Sequence, residues 1–212
     1  MAGTFVCEGV PDITLDEVLS IRHVNPPVWA PGGTQLTFLW NDGGLTSLWA
    51  VDAETGSVHP ISNGETSVAS FTWAPDGSRL AYVQGGDIWL AAFANGTWAE
   101  AIAFAQAGGQ DDSPAWSPDS RALGYVRAGQ IWLYRFADHT SRALVLPGQV
   151  KPGHHSPAFA FSTDGALIAA IILEKGHRDL LIADLDGAVL WRTNTSDNEC
   201  DYAWIDATRL HY

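Results

Sequence analysis

The sequence has 212 residues, 46% of them hydrophobic and 17% charged, which is ample to bury a core and far from a disordered composition. Only 11 lysines and arginines stand against 24 acidic residues, a formal net charge of −13, so the clustered basic surface that phosphate binding needs is excluded. No stretch approaches the roughly 18 continuous apolar residues of a membrane span. Neither a nucleic-acid nor a membrane partner is expected.

The N-terminal MAGTFVCEGV has no basic segment followed by a long apolar one, so no secretory leader is read there and a cytoplasmic protein is expected. Cys7 and Cys200 make no metal-ligand spacing with any histidine and read as unpaired thiols of a reducing compartment. The first predicted element is a helix. Thr14 is its N-cap and Glu17 closes the capping box at N3, with Ile13 and Val18 placed as a hydrophobic staple. It should run from Leu15 to about Arg22 and end before Pro26-Pro27, making residues 1–25 a lead-in.

Ten tryptophans are several times ordinary usage, and they recur at a fixed interval. The windows PPVWAPGGTQLTFLW, SFTWAPDGSRLAYVQ, SPAWSPDSRALGYVR and AFAFSTDGALIAAII align, and DYAWIDATRLHY follows. Their anchors Trp29, Trp73, Trp116, Phe161 and Trp204 are 44, 43, 45 and 43 residues apart, so the chain is a tandem repeat. A second register sits inside the first, in SLWAVDAETG, DIWLAAFANG, QIWLYRFADH and DLLIADLDG. There Trp49, Trp89, Trp132 and Ile182 hold one place. Each anchor is followed by a turn such as Ala74-Pro75-Asp76-Gly77, where proline suits the second position and glycine a positive φ. Flanking segments rich in Val, Ile, Leu, Tyr and Trp alternate with small or polar residues, as half-buried strands do.

Four strands per unit of about 44 residues is the pattern of a β-propeller blade. The expected fold is therefore all-β, a partial β-propeller of four four-stranded blades plus a half blade. The blades are placed at about 26–66, 67–109, 110–153 and 154–197, with a partial one at 198–212. The anchor aromatics are read as wedges between successive sheets, each burying about 150–250 Å². A carbohydrate-stacking surface would not need tryptophan at matching strand positions in every unit.

The unit W-[AS]-P-D-G-x-x-L-A-[YF], followed by an [IL]-W-x-x strand, resembles the repeat of TolB-type propellers. It equally resembles that of the N-terminal propellers of the prolyl oligopeptidase family of serine peptidases, including dipeptidyl and acylaminoacyl peptidases. The lead-in ITLDEVLSIRHV favours the peptidases, many of which carry such a helix just before the first blade. The resemblance implies a propeller of seven or eight blades set over an α/β-hydrolase domain with a Ser-Asp-His triad. The sequence contains no G-x-S-x-G elbow to which a triad could be transferred, and no Glu-Glu pair of the kind dipeptidyl peptidases use to hold a substrate amine. The repeat breaks off at Leu210-His211-Tyr212, so a partial gene product is expected.

No catalytic, cofactor-binding or metal-binding residue is assigned. His154 and His155, in the loop before blade four, cannot easily chelate one ion and have no carboxylate at a useful offset. Asp111 and Asp112 precede the blade-three strand as Asp201 precedes that of blade five. Turn capping explains them, and the functional alternative is that they present carboxylates to a peptide amine. Ser113-Pro114 and Ser156-Pro157 hold matching positions, which argues for structure rather than a nucleophile. The glycine pairs Gly32-Gly33, Gly43-Gly44, Gly85-Gly86 and Gly108-Gly109 read as turns, since no helix follows them. The function expected is a non-catalytic propeller that controls access of peptide substrates to a hydrolase domain absent from this chain. The alternative is a TolB-like scaffold that binds a protein partner.

Overall fold

The computed structural model describes residues 26–42, 44–104, 110–193 and 201–212. The expected helix over Leu15 to Arg22, and both cysteines, lie outside the described residues. Among those described every regular element is a strand, and no helix is long and apolar enough to cross a membrane. The fold is all-β, a partial propeller of four antiparallel sheets in chain order followed by a two-stranded fragment of a fifth.

The first sheet is β1 (Val28–Trp29), β2 (Gln35–Asp42), β3 (Leu45–Asp52) and β4 (Val58–Pro60), side by side in that order. The second is β5 (Val68–Trp73), β6 (Arg79–Gln84) and β7 (Asp87–Ala94), with its last strand broken into β8 (Thr97–Trp98) and β9 (Ile102–Ala103), both paired with β7. The third is unbroken: β10 (Asp111–Trp116), β11 (Ala122–Arg127), β12 (Gln130–Arg135) and β13 (Thr140–Leu144). In the fourth the first strand is broken, β14 (Gln149–Val150) and β15 (Phe159–Phe161) both pairing with β16 (Leu167–Glu174). β17 (His177–Asp184) and β18 (Val189–Arg192) complete it, and β19 (Ala203–Trp204) and β20 (Leu210–His211) form the last pair.

The described residues fall into two compact units. The first runs to Gly85 and takes in Trp89–Phe104; the second holds Gly86–Ile88 and the chain from residue 110 onward.

In the first unit, Trp73 packs with Ala30, Leu39, Leu48 and Ala50 of the first sheet, and its indole Nε1–H donates to Thr37 Oγ1 at 3.0 Å. Thr37 in turn donates to the carbonyl of Val28 at 2.8 Å, so the buried indole N–H is met by a fixed acceptor. Trp29 leads the first sheet and is 55% exposed.

In the second unit the same relation recurs. Phe159 and Phe161 bury against Val126, Ile131 and Leu133 of the third sheet. Tyr202 packs on Ala169 and Ile171 of the fourth, and Trp204 donates its indole N–H to the carbonyl of Ala160 at 3.2 Å. The aromatic two residues before Phe161 and that before Trp204 each lie over the residue eight places after the previous anchor: Phe159 over Gly124, and Tyr202 over Ala169. That place must be small. A Cβ on Gly124 would stand 2.7 Å from two ring carbons of Phe159.

The turns are held by carboxylates. In the second sheet Gly77, at φ +72°, donates its N–H to Ala74 O at 2.9 Å, as the sequence predicts. In the fourth, Asp164 Oδ1 accepts from Ser162 Oγ at 2.6 Å and from the Ala166 amide at 3.1 Å, while Ser162 Oγ accepts from the Leu167 amide at 2.9 Å. Ser117 and Asp119 repeat this in the third. The hydrogen bond from Ser162, then that from Ala166, holds the Asp164 carboxyl below its ordinary value, and Ser117 does the same for Asp119.

Two outcomes follow from these seams and turns. Gly124→Ala should lower unfolding free energy in urea by about 1–3 kcal/mol through overpacking, whereas Gly32→Ala, whose nearest neighbour stands 4.0 Å away, should be near neutral. The depressed carboxyls stabilise the fold above the unfolded aspartate value of about 3.9, and that contribution fades as pH drops below it. Asp164→Asn should therefore lose stability at pH 6 and show a shallower acid limb than the parent when melting is followed from pH 6 to pH 2.

Candidate functional site

The carboxylates singled out in the sequence have different fates. Asp111 opens β10 directly opposite Arg127 of β11 and is 1% exposed. Arg127 Nε and Nη2 donate to its two carboxylate oxygens at 2.6 Å each, a two-pronged ion pair. The guanidinium carbon also lies 5.3 and 5.4 Å from the ring centres of Tyr125 and Trp132, within cation–π range. Hydrogen bonding to Asp111 pushes the Arg127 pKa further up. Asp111 thus neither caps a turn nor offers a free carboxylate to an amine. Asp112 is exposed, beside the irregular stretch before Ala115 in which Ser113 takes φ +52°.

Asp201 does act as a cap. Its Oδ1 accepts from the amides of His155 at 2.5 Å and Ser156 at 2.9 Å, and these bonds, His155 first, hold its carboxyl below the ordinary range. The cap joins residues 45 and 46 positions apart, a tie no local motif reveals. His154 is exposed. The sequence puts both histidines ahead of blade four, but Gln149 and Val150 already pair with Leu173 and Ile172. Their loop therefore interrupts the sheet's first strand. Ser156 Oγ is buried with no hydrogen-bond partner among the described residues, so no base activates it. Among the described residues no three of His, Cys, Asp and Glu converge to hold a metal ion.

A second ion-pair group escapes sequence reading. Arg192 on β18 donates to Glu174 Oε2 at 2.7 Å and to Asp179 Oδ2 at 2.5 Å, and Asp179 is 5% exposed. Its three members lie on neighbouring strands β16, β17 and β18, so only the strand register brings them together. Thr193, also buried, donates toward Asp179 Oδ1 and accepts from the Leu180 amide. Every such cluster pairs its charges internally, which is what structural anchors do and what a waiting catalytic group does not.

The blade geometry can be set beside known proteins. Residues 32–113 match the dipeptidyl peptidase IV N-terminal region. This supports the resemblance to the N-terminal propellers of prolyl-oligopeptidase-family peptidases drawn from the repeats. An uncharacterised peptidase of Bacillus subtilis, YuxL, is 30% identical over 77 residues, which make up 34% of this chain and 12% of that protein. Among solved structures, a puromycin-hydrolysing peptidase of Mycobacterium tuberculosis superposes over 88% of this chain and 34% of its own, with a TM-score of 0.65 and 17% identity. TolB of Acinetobacter baumannii superposes over 83% of this chain and 45% of its own, with a TM-score of 0.59 and 17% identity. The chain thus spans an eighth to under half the length of these proteins, and the two structures establish the propeller fold.

Because Asp111 is fully enclosed, removing its partner strands a buried charge. Arg127→Ala should cost about 3–5 kcal/mol in urea unfolding. The double variant Asp111→Leu with Arg127→Met should recover much of that loss, since it removes both charges together.

Proposed function

We propose that this chain is the non-catalytic propeller portion of a prolyl-oligopeptidase-family serine peptidase, with the hydrolysing triad carried on residues outside these 212. The observation that carries this is the match of residues 32–113 to the dipeptidyl peptidase IV N-terminal region, on sheets built as blades. In that role the propeller limits which substrates reach the active site, admitting peptides and turning away folded proteins. Its blades, at about 26–66, 67–109, 110–153 and 154–197 with a partial one after 198, serve as wall rather than as reactive surface. The ion pairs of Asp111 and Asp179 and the backbone cap of Asp201 suit a wall. A second reading, a TolB-like platform for a protein partner, draws on the fold likeness to TolB.

The purified chain should release no chromophore from aminoacyl or dipeptidyl chromogenic substrates, and turnover by the chain alone would contradict the proposal. The coding sequence that continues this reading frame should contain G-x-S-x-G. A frame of further propeller repeats, together with a stable protein partner in a pull-down, would favour the TolB-like reading instead.

A further inference from the structure

The first unit departs from its own repeat at one place. In the third sheet the Tyr125 hydroxyl lies 3.4 Å from Ser141 Oγ on the outermost strand β13, and Ser141 pairs with Tyr134. Tyr82 holds the place of Tyr125 in the second sheet, each lying nine residues after its anchor, Trp73 or Trp116. Its outer strand, however, is split. Leu90 pairs with Ile102 and Phe93 with Trp98, a slip of one residue that sets Ala99, Glu100 and Ala101 against Ala91 and Ala92, with the Ala99 amide still donating to Ala92 O at 2.8 Å. The register that sets Ala103 opposite Trp89 carries Ala101 to the place Ser141 holds in the third sheet.

The consequence is a cavity of about 500 Å³ between the slipped stretch and the Pro60–Glu65 segment. Tyr82, Trp89 and Trp98 form its aromatic wall, and Glu65 and Glu100 bring two carboxylates to it. No lysine or arginine lines it. Two donors on that wall go unmet among the described residues: Tyr82 Oη and Trp98 Nε1 are buried without a hydrogen-bond partner there, and Tyr82 is 0% exposed. A buried donor left unpaired keeps the cost of its lost hydration, so an acceptor supplied at the site is stabilising. Burial alone pushes the Tyr82 hydroxyl up to about 12, which keeps it a donor at neutral pH.

We propose that this cavity is a binding site for a small organic cation, a protonated amine or quaternary ammonium that carries an acceptor oxygen. Aromatic faces with two unneutralised carboxylates attract the cationic head, and tryptophan is the strongest cation–π platform. The acceptor oxygen answers the buried donors of Tyr82 and Trp98. The volume falls within the range of small-molecule pockets, about 300–1,000 Å³. The site lies wholly within the first unit.

Calorimetric titration of the chain with four probes tests this: acetylcholine, its neutral carbon isostere 3,3-dimethylbutyl acetate, tetramethylammonium, and glucose. Acetylcholine should bind saturably, about tenfold tighter than the isostere, and glucose should not bind. Glu65→Gln combined with Glu100→Gln should weaken acetylcholine about fivefold while leaving the far-ultraviolet circular dichroism unchanged. Ala101→Ser, which puts a hydroxyl at the repeat position of Ser141, should weaken acetylcholine about threefold and leave tetramethylammonium unaffected. Absence of saturable acetylcholine binding, equal affinity for the neutral isostere, or preference for glucose would each overturn the proposal. So would insensitivity of acetylcholine to the paired glutamate substitutions.

Discussion

Contact between an aromatic side chain on one sheet and a small residue on the sheet before it governs this protein. Phe159 on Gly124 and Tyr202 on Ala169 show it in the second unit, where the ring occupies space that a larger residue at the receiving position would fill. The polar end of the wedge is satisfied at the same time: Trp204 gives its indole N–H to Ala160 O and, in the first unit, Trp73 gives its own to Thr37. Flat side chains bury a large area in a thin gap, and a twisted four-stranded sheet offers its neighbour just such a gap. Thr37 stands where the later repeats have alanine or glycine, because it supplies the acceptor for Trp73.

Part of the acidic composition serves turn chemistry. Asp52, Asp76, Asp119, Asp138, Asp164, Asp184 and Asp206 each accept backbone amides two to four residues onward. An ionised carboxylate does this better than a neutral amide would, since charge-assisted bonds are the stronger ones. Part of the net charge of −13 is therefore a by-product of the hairpins. Where carboxylates serve the sheets instead, as at Asp111 and Asp179, an arginine on the next strand accompanies each.

The repeat also shows where to look for function. Irregularities set the sheets apart, among them the split last strand of the second, the split first strand of the fourth, and the irregular start of the third. The break in the fourth is closed by Asp201 and Tyr202, whose hydroxyl lies 3.2 Å from the carbonyls of Pro157 and Ala169. Arg127 closes the one in the third by gripping Asp111. The break in the second leaves two buried donors unmet among the described residues, beside open volume.

Anchor spacing, strand-turn chemistry and the all-β architecture were legible in the residues, because a blade repeats and its turns require particular side chains at particular offsets. Ala74 to Gly77 illustrates this: its four residues dictate their own turn without help from elsewhere. The partners of Asp111, Asp201 and Tyr82 were not legible. An ion pair 16 residues apart, a cap 45 and 46 residues away and a missing hydroxyl opposite Tyr82 all depend on strand register. Register comes from packing whole sheets together, and a one-residue slip moves every side chain beyond it to the other face.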